Sequence, residues 1–459
     1  MQTNKKINYI YEFKTPNGYF PIGAEYRSLP ILFDYINELE YQHGTIAHRM
    51  GYSDRFKILN ECASTYDVLT LGDVGIPIKM LSELTDDEIN NDINLYCIDT
   101  SHDETILDYI IRTDLTNVLS QKSKKLFSER QNFKLMVLDN KEGSYYFDSE
   151  FFESFQRFHK ELGLKSDNQI VFVTNTCNVQ DMYDEFLVKT NSKSFMKVKG
   201  VQFLIYDPGQ TVMDYFHQTN NTSDIIVDKN IEYSVPTDSE IIDLKRNKYY
   251  LFLNRNSGRL HRVKLLLQFI KNNLFDKSIT SLLHSDEFDR FADEIGNEEY
   301  RDLIKSKYPF VADYEDPYLV SDMHNFFTKK EMWMDTYFSV VSETSADDSW
   351  CFITEKTVRP MIYFHPFIVW GNPGTLQVLR ELGFETFPEF FDERYDNVKN
   401  ADIRMKMILN NVKRLCELPI EEIHSLYQSV IPKLIHNRNL LIKMDERKEV
   451  HQKVLETLF

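Results

Sequence analysis

Four bases crowd into eight residues of "FLNRNSGRLHRVKLL": Arg255, Arg259, His261 and Arg262, with Asn254, Ser257 and Gly258 beside them. Composition changes there from strand-like to helix-like, which puts the cluster where a strand ends and a helix begins. Backbone N–H groups at a helix start attract anions, and arginine adds paired donors whose geometry suits a diphosphate. The functional reading is a phosphate site; the structural one is that Arg259 and Arg262 are solvated helix residues.

A second group follows the apolar run "YFSVVSET". The segment "ITEKTVRPMIYF" reads as a helix with Thr354, Glu355, Lys356 and Arg359 at its start. A carboxylate there can accept hydrogen bonds from both hydroxyls of a ribose, while Lys356 and Arg359 face phosphate. That combination suits a nucleotide. An acid near a helix start also satisfies the helix dipole, so the same residues have a purely structural reading.

Such residues need strands to end behind them and helices to begin at them. In the first half, "INYIYEF", "YDVLTLGDVGIPI", "INLYCID", "FKLMVLDN", "NQIVFVTN" and "VQFLIYD" are apolar, β-branched or aromatic runs closed by Asp, Asn or Gly. Helical patterns, "DSEFFESFQRFHKELGL" and "VQDMYDEFLVKT", lie between them. A polar stretch, "HQTNNTSDIIVDKNIEYSVPTDSE", breaks the rhythm and places a domain boundary near residue 240. The second half restarts with "YYLFLNRN", helix "GRLHRVKLLLQFIKNN", strand "SITSLLH", strand "TYFSVVSET", helix "ITEKTVRPMIYF", strand "PFIVWG" and helix "TLQVLRELGF". Beyond residue 400 the pattern is helical, with Met405, Ile408, Leu409, Val412 and Leu415 on one face. Alternating strands and helices predict an α/β fold with mostly parallel sheets, ligands sitting beyond the carboxyl ends of the strands.

Composition narrows the classes of function. The 459 residues carry 42% hydrophobic and 14% aromatic side chains, which describes folded domains and not a disordered chain. The formal net charge of −18 opposes general affinity for nucleic acid and anionic membrane. The five scattered cysteines form no C-x-x-C pair, and neither a signal peptide nor an apolar run long enough to span a membrane is read, so the expected location is cytoplasmic.

The segment "FITEKTVRPMIYFHPFIVWG" resembles the donor-binding signature of two-domain, GT-B type nucleotide-sugar glycosyltransferases, notably the fucosyltransferase and exostosin-like groups. "LNRNSGRLHR" resembles the arginine-bearing loop that opens the donor domain in related viral and bacterial transferases. The likeness spans about residues 248 to 395. It implies two Rossmann-like domains with a C-terminal helical segment: residues 1–240 on the acceptor side, 241–398 binding the donor, and 399–459 as helices. It implies that Glu355 reads ribose or sugar hydroxyls, that Lys356 touches the donor, and that Arg255 or Arg259 clamps the diphosphate. Asn254, Arg262, Thr354 and Arg359 complete the expected donor set. His365–Pro366 stands where these families usually carry a small residue. Asp347 and Glu355 have the spacing of the paired glutamates of retaining members, with Asp in the first place.

The chain has no D-x-D motif, which predicts a transferase that needs no metal and no cofactor beyond its nucleotide-sugar substrate. A general base is sought on the acceptor side, in Asp99 with His102, Asp103 and Glu104, or in Glu142; each also reads as a surface carboxylate or a polar loop residue. His43 and His48 lack the carboxylate of a metal site and read as ordinary polar histidines. The Gly-Asn-Pro-Gly turn at 371–374 is structural, with Thr375 expected to cap the next helix, and Trp370 reads as core.

The expected activity is a glycosyltransferase, hexosyl or pentosyl, moving a sugar to a glycan or other hydroxyl acceptor. Two alternatives stay open. One is a nucleotide- or glycan-binding protein that keeps the fold without catalysis. The other is a transferase acting on modified DNA bases, for which the basic stretch "VLSQKSKKLFSERQNFK" is the only local support against the acidic total.

Overall fold

The structure is a computed structural model and describes residues 6–11, 78–81, 83–99, 119–139, 147–174, 176–200, 224–228, 231–256, 259–283, 312, 328–346, 351–444 and 456. The chain divides into two compact units, residues 1–203 with 445–459, and residues 204–444.

The first unit is built on β1 (Ile7–Tyr11), β2 (Ile78–Met80), β3 (Ile93–Asp99), β4 (Phe133–Asp139), β5 (Ile170–Thr174) and β6 (Lys197–Gly200), in the order β2-β1-β3-β4-β5-β6 and parallel throughout. Its helices are α1 (Asp86–Asn91), α2 (Gln121–Glu129), α3 (Ser149–Glu161) and α4 (Val179–Thr190). The α3 helix starts because the Asp148 side chain accepts from the Phe151 N–H at 3.0 Å. Its Phe151, Phe152, Phe155 and Phe158 form one buried stripe, and the Phe151 and Phe172 rings lie 5.0 Å apart over β5. Burying each such ring contributes about 2–3 kcal/mol.

In the second unit β7 (Asp224–Asp228) and β8 (Ile231–Ser234) form an antiparallel pair. The main sheet has β9 (Lys248–Asn256), β10 (Ser278–Leu283), β11 (Thr336–Ser342) and β12 (Phe367–Trp370), parallel and in the order β10-β9-β11-β12. The helices are α5 (Asp238–Ile241), α6 (Leu260–Lys271), α7 (Lys330–Met334), α8 (Glu355–Ile362), α9 (Thr375–Glu381), α10 (Ala401–Glu417) and α11 (Ile420–Lys443). Every residue of β11 and β12 is buried, as a parallel sheet covered on both faces demands. On one face Tyr250 and Phe252 meet Phe269 of α6, and Phe338 meets Phe391. Trp333 of α7 stacks on Tyr363 with ring centroids 4.6 Å apart.

The α/β class and its two Rossmann-like units of parallel sheet are as the sequence predicts. Two details differ. Thr375 is the first residue of α9, not its cap: Gly374 takes the cap position at φ 84°, and Asp396 receives the N–H groups of Leu376 and Gln377 at 3.1 and 3.2 Å. On α10 the buried stripe includes Arg404 and Asn411, whereas Met405 and Leu409 are only half-buried. The expected strand at 201–207 lies outside the described residues, as does most of the run ending at Ile78.

Candidate nucleotide-binding site

The two predicted clusters lie at the carboxyl ends of adjacent strands. Asn254 is near the end of β9 and Arg259 immediately precedes α6; Thr354 and Glu355 open α8, in the connection from β11 to β12.

The centre of this region is a residue the sequence reading passed over. Glu343 follows the last residue of β11 and is 0% exposed. Its Oε1 accepts from the Thr354 N–H at 3.1 Å and from the Thr357 hydroxyl, and its Oε2 from the Thr354 hydroxyl at 2.5 Å and the Thr344 N–H at 3.3 Å. A buried carboxylate survives only when its lone pairs are used in this way. The backbone of the same residue joins two more elements, β12 and α6. Its N–H donates to the Trp370 carbonyl at 2.9 Å, and its carbonyl accepts from Arg262 at 3.2 Å and faces His261 Nε2 at 2.9 Å. With a carbonyl as partner, His261 Nε2 is the protonated nitrogen. Gly371 makes the packing possible, since a Cβ there would come within 3.2 Å of the Glu343 side chain.

The first turn of α8 carries the charges. The Lys356 ammonium donates to Glu355 at 2.7 Å, to the Thr354 hydroxyl oxygen at 3.2 Å and to the Thr344 hydroxyl oxygen at 3.3 Å. Arg359 lies 3.8 Å from the Glu355 carboxylate. Burial pushes the Glu355 carboxyl up, but the Lys356 and Arg359 charges outweigh it and hold the group below its ordinary range. The result is one carboxylate flanked by two cations, all three side chains retaining 10–20% exposure. A small cleft runs beside them, lined among others by Leu253, Trp333, Ser342, Lys356 and Arg359.

Asn254 is 3% exposed, yet neither atom of its side-chain amide finds a hydrogen-bond partner among the described residues, and the same holds for the Ser342 hydroxyl. The pairing of Ser339 with Leu251, carried three residues along parallel strands, places these two side chains on one face of the sheet, one strand apart. Unsatisfied polar groups of this kind in a native fold ask for a partner.

The other predicted donor residues have different surroundings. Arg262 is buried against Glu343 and Thr354 is fully buried beneath it, so both support the site from within. Arg259 is exposed at the start of α6. Arg255 and Asp99 lie on described strands, but their side chains are outside the described set. Glu142, His102, Asp103, Glu104, His43, His48, Ser257, Gly258 and Asp347 lie outside the described residues altogether. His365 is fully buried between the Ser339 hydroxyl, 2.9 Å from Nδ1, and the Trp333 carbonyl, 2.6 Å from Nε2. Trp370 is 3% exposed, as a core residue would be. In the basic stretch of the first unit, Lys122 and Lys134 donate to the carbonyls of Leu81 and Asn168.

No helix among the described residues is long and apolar enough to cross a membrane. No protein-family model matches the sequence, and no curated protein matches it. Among solved structures the chain is similar to a UDP-forming α,α-trehalose-phosphate synthase from Burkholderia xenovorans, with 11% identity, 78% of this chain and 81% of that one covered, and a TM-score of 0.34. It is similar to T4 phage BGT in complex with its UDP-glucose substrate, with 11% identity, 98% of both chains covered and a TM-score of 0.33. A trehalose 6-phosphate synthase from Burkholderia multivorans gives 10% identity, 98% and 96% coverage and a TM-score of 0.35. Superpositions this loose assign neither a fold nor a reaction to the chain.

Proposed function

We propose that the protein is a nucleotide-sugar glycosyltransferase of two-domain, GT-B type, with its donor site at the carboxyl ends of β9 and β11. The observation that carries the reading is the first turn of α8, where Glu355 sits between Lys356 and Arg359 beside a cleft, with the unpartnered amide of Asn254 on the neighbouring strand. An acid flanked by bases suits a ligand that presents hydroxyls and phosphate together. In the proposed reaction an acceptor hydroxyl attacks the anomeric carbon of the donor. The bond to the diphosphate breaks, and Lys356, Arg359 and Arg259 stabilise the departing charge. Metal independence belongs to the same proposal and rests on the missing D-x-D motif. Asp99 and Glu142 are the proposed bases on the acceptor side. A cytoplasmic location is proposed from the five scattered cysteines, which form no C-x-x-C pair.

Binding without turnover is the second reading. It is favoured by the internal hydrogen bonds that already occupy Thr354, Arg262 and Lys356. A thermal-shift and hydrolysis screen against nucleoside diphosphates and nucleotide sugars, run on the parent, Glu355→Ala and Arg259→Ala, tests both. Stabilisation and slow cleavage by one nucleotide sugar, lost in the variants, is the expected result. Stabilisation without cleavage supports the binding reading, and no response to any nucleotide overturns both.

A further inference from the structure

The hydrogen bonds around Glu343 have a fixed direction, because a carboxylate only accepts. The Thr354 hydroxyl has one proton and spends it on Glu343 Oε2, so its lone pairs are left for the Lys356 backbone N–H at 3.3 Å and the Lys356 ammonium at 3.2 Å. The Thr344 N–H is held by the same carboxylate, and the Thr344 hydroxyl oxygen receives another Lys356 proton. Of the three described oxygens around the ammonium, that of Thr354 is therefore oriented by a side chain that never touches it, and the backbone carrying that of Thr344 is held by the same carboxylate.

We infer that Glu343 is a positioning residue of the ligand site, which sets the place of the Lys356 ammonium through Thr354 and Thr344. The inference rests on Lys356 belonging to the nucleotide site proposed above. Replacing Glu343 by Gln keeps shape and volume but introduces an N–H donor facing the two threonines. With the amide nitrogen at the Oε2 place, the Thr354 proton turns away from position 343, and an oxygen that had accepted from Lys356 presents a hydrogen to it.

The test reads Lys356 directly. Full-length protein is acetylated at fixed pH with an amine-reactive ester, and the rate at Lys356 is measured by peptide mass spectrometry relative to exposed Lys413 on α10. Binding of UDP and GDP is measured alongside. Loss of one charge-assisted hydrogen bond corresponds to about a tenfold change, so E343Q and T354V are expected to raise the relative acetylation rate of Lys356 about tenfold, while T354S, which retains the oxygen, keeps the parent rate. Nucleotide binding is expected to weaken in the first two variants and persist in the third. Acetylation within about twofold of the parent in E343Q and T354V overturns the inference, whatever happens to the melting temperature. If E343Q does not fold, the T354V and T354S pair decides. If the parent binds neither nucleotide, the proposed function fails on its own, and the labelling rates still decide the role of Glu343.

Discussion

At the scale of single residues, the second unit depends on charges and polar groups that are buried with assigned partners. His365 lies beneath the sheet with Ser339 and Trp333 on its two nitrogens. Burial and the nearby Arg246 charge push its imidazole down to about 3. Unfolded, the same group titrates near 6.5, so below that pH the unfolded chain binds a proton the folded one refuses. Its contribution to stability is complete above about pH 6.5 and declines toward pH 3, with a slope approaching about 1.4 kcal/mol per pH unit. Urea unfolding at several values between pH 7.5 and 5 should show this loss in the parent, and His365→Asn should show less of it. Glu355 has the opposite chemistry and adds to the same acid limb: its depressed carboxyl contributes stability that is present above the ordinary carboxylate range and lost as pH falls through the folded value. Neutralising it as Glu355→Gln is expected to remove that part of the acid dependence, read from urea unfolding carried on below the ordinary carboxylate range.

Helices and turns are positioned by partners distant in sequence. Arg404 of α10 is 1% exposed and donates to the carbonyls of Gly371, Ala346, Val398 and Lys399, which ties that helix to the turn after β12 and to the segment after Glu343. Arg404→Met leaves those carbonyls without their donor and is expected to cost about 3 kcal/mol or more by denaturant unfolding. Arg404→Lys, with a point charge in place of the planar fork, is expected to recover only part of that. Asp396→Ala should destabilise by about 1–2 kcal/mol through loss of the two N–H partners at the start of α9. These contacts also explain what the sequence could and could not reveal. The strands β5, β11 and β12 were legible because burial on both faces leaves continuous apolar runs, and α3 because its phenylalanines recur on one side. The polar stripe on α10 was not, because Arg404 and Asn411 look like surface residues until the carbonyls they meet are known. Glu343 escaped notice for the same reason: its threonine partners lie eleven and fourteen residues further on. An acid placed directly after the largely apolar run "YFSVVS", between Ser342 and Thr344, was the one signal available.

At the scale of the molecule, each unit owns a parallel sheet, and residues 204–444 bring together both predicted ligand-binding clusters and the two long helices α10 and α11. This predicts that residues 204–444, expressed alone, unfold cooperatively and retain whatever nucleotide-induced thermal shift the whole chain displays. A fragment that binds nothing while the whole chain binds would place part of the nucleotide site outside that unit. The acidic total of −18 adds a condition to such measurements. Long-range repulsion of a polyphosphate is screened by salt while contacts at the first turn of α8 are screened less, so a modest rise in ionic strength should speed nucleotide association more than it weakens the complex.

The three oxygens around Lys356 have a calorimetric consequence. In the proposed function an arriving phosphate would not find a bare ammonium; it would exchange with Glu355, Thr354 or Thr344, one bond being surrendered for each one gained. The heat released at this position is then a difference between two similar bonds, small beside what a count of contacts in a complex would imply. A diphosphate left behind after sugar transfer would depart by the reverse exchange, with the cation's former oxygens ready to receive it.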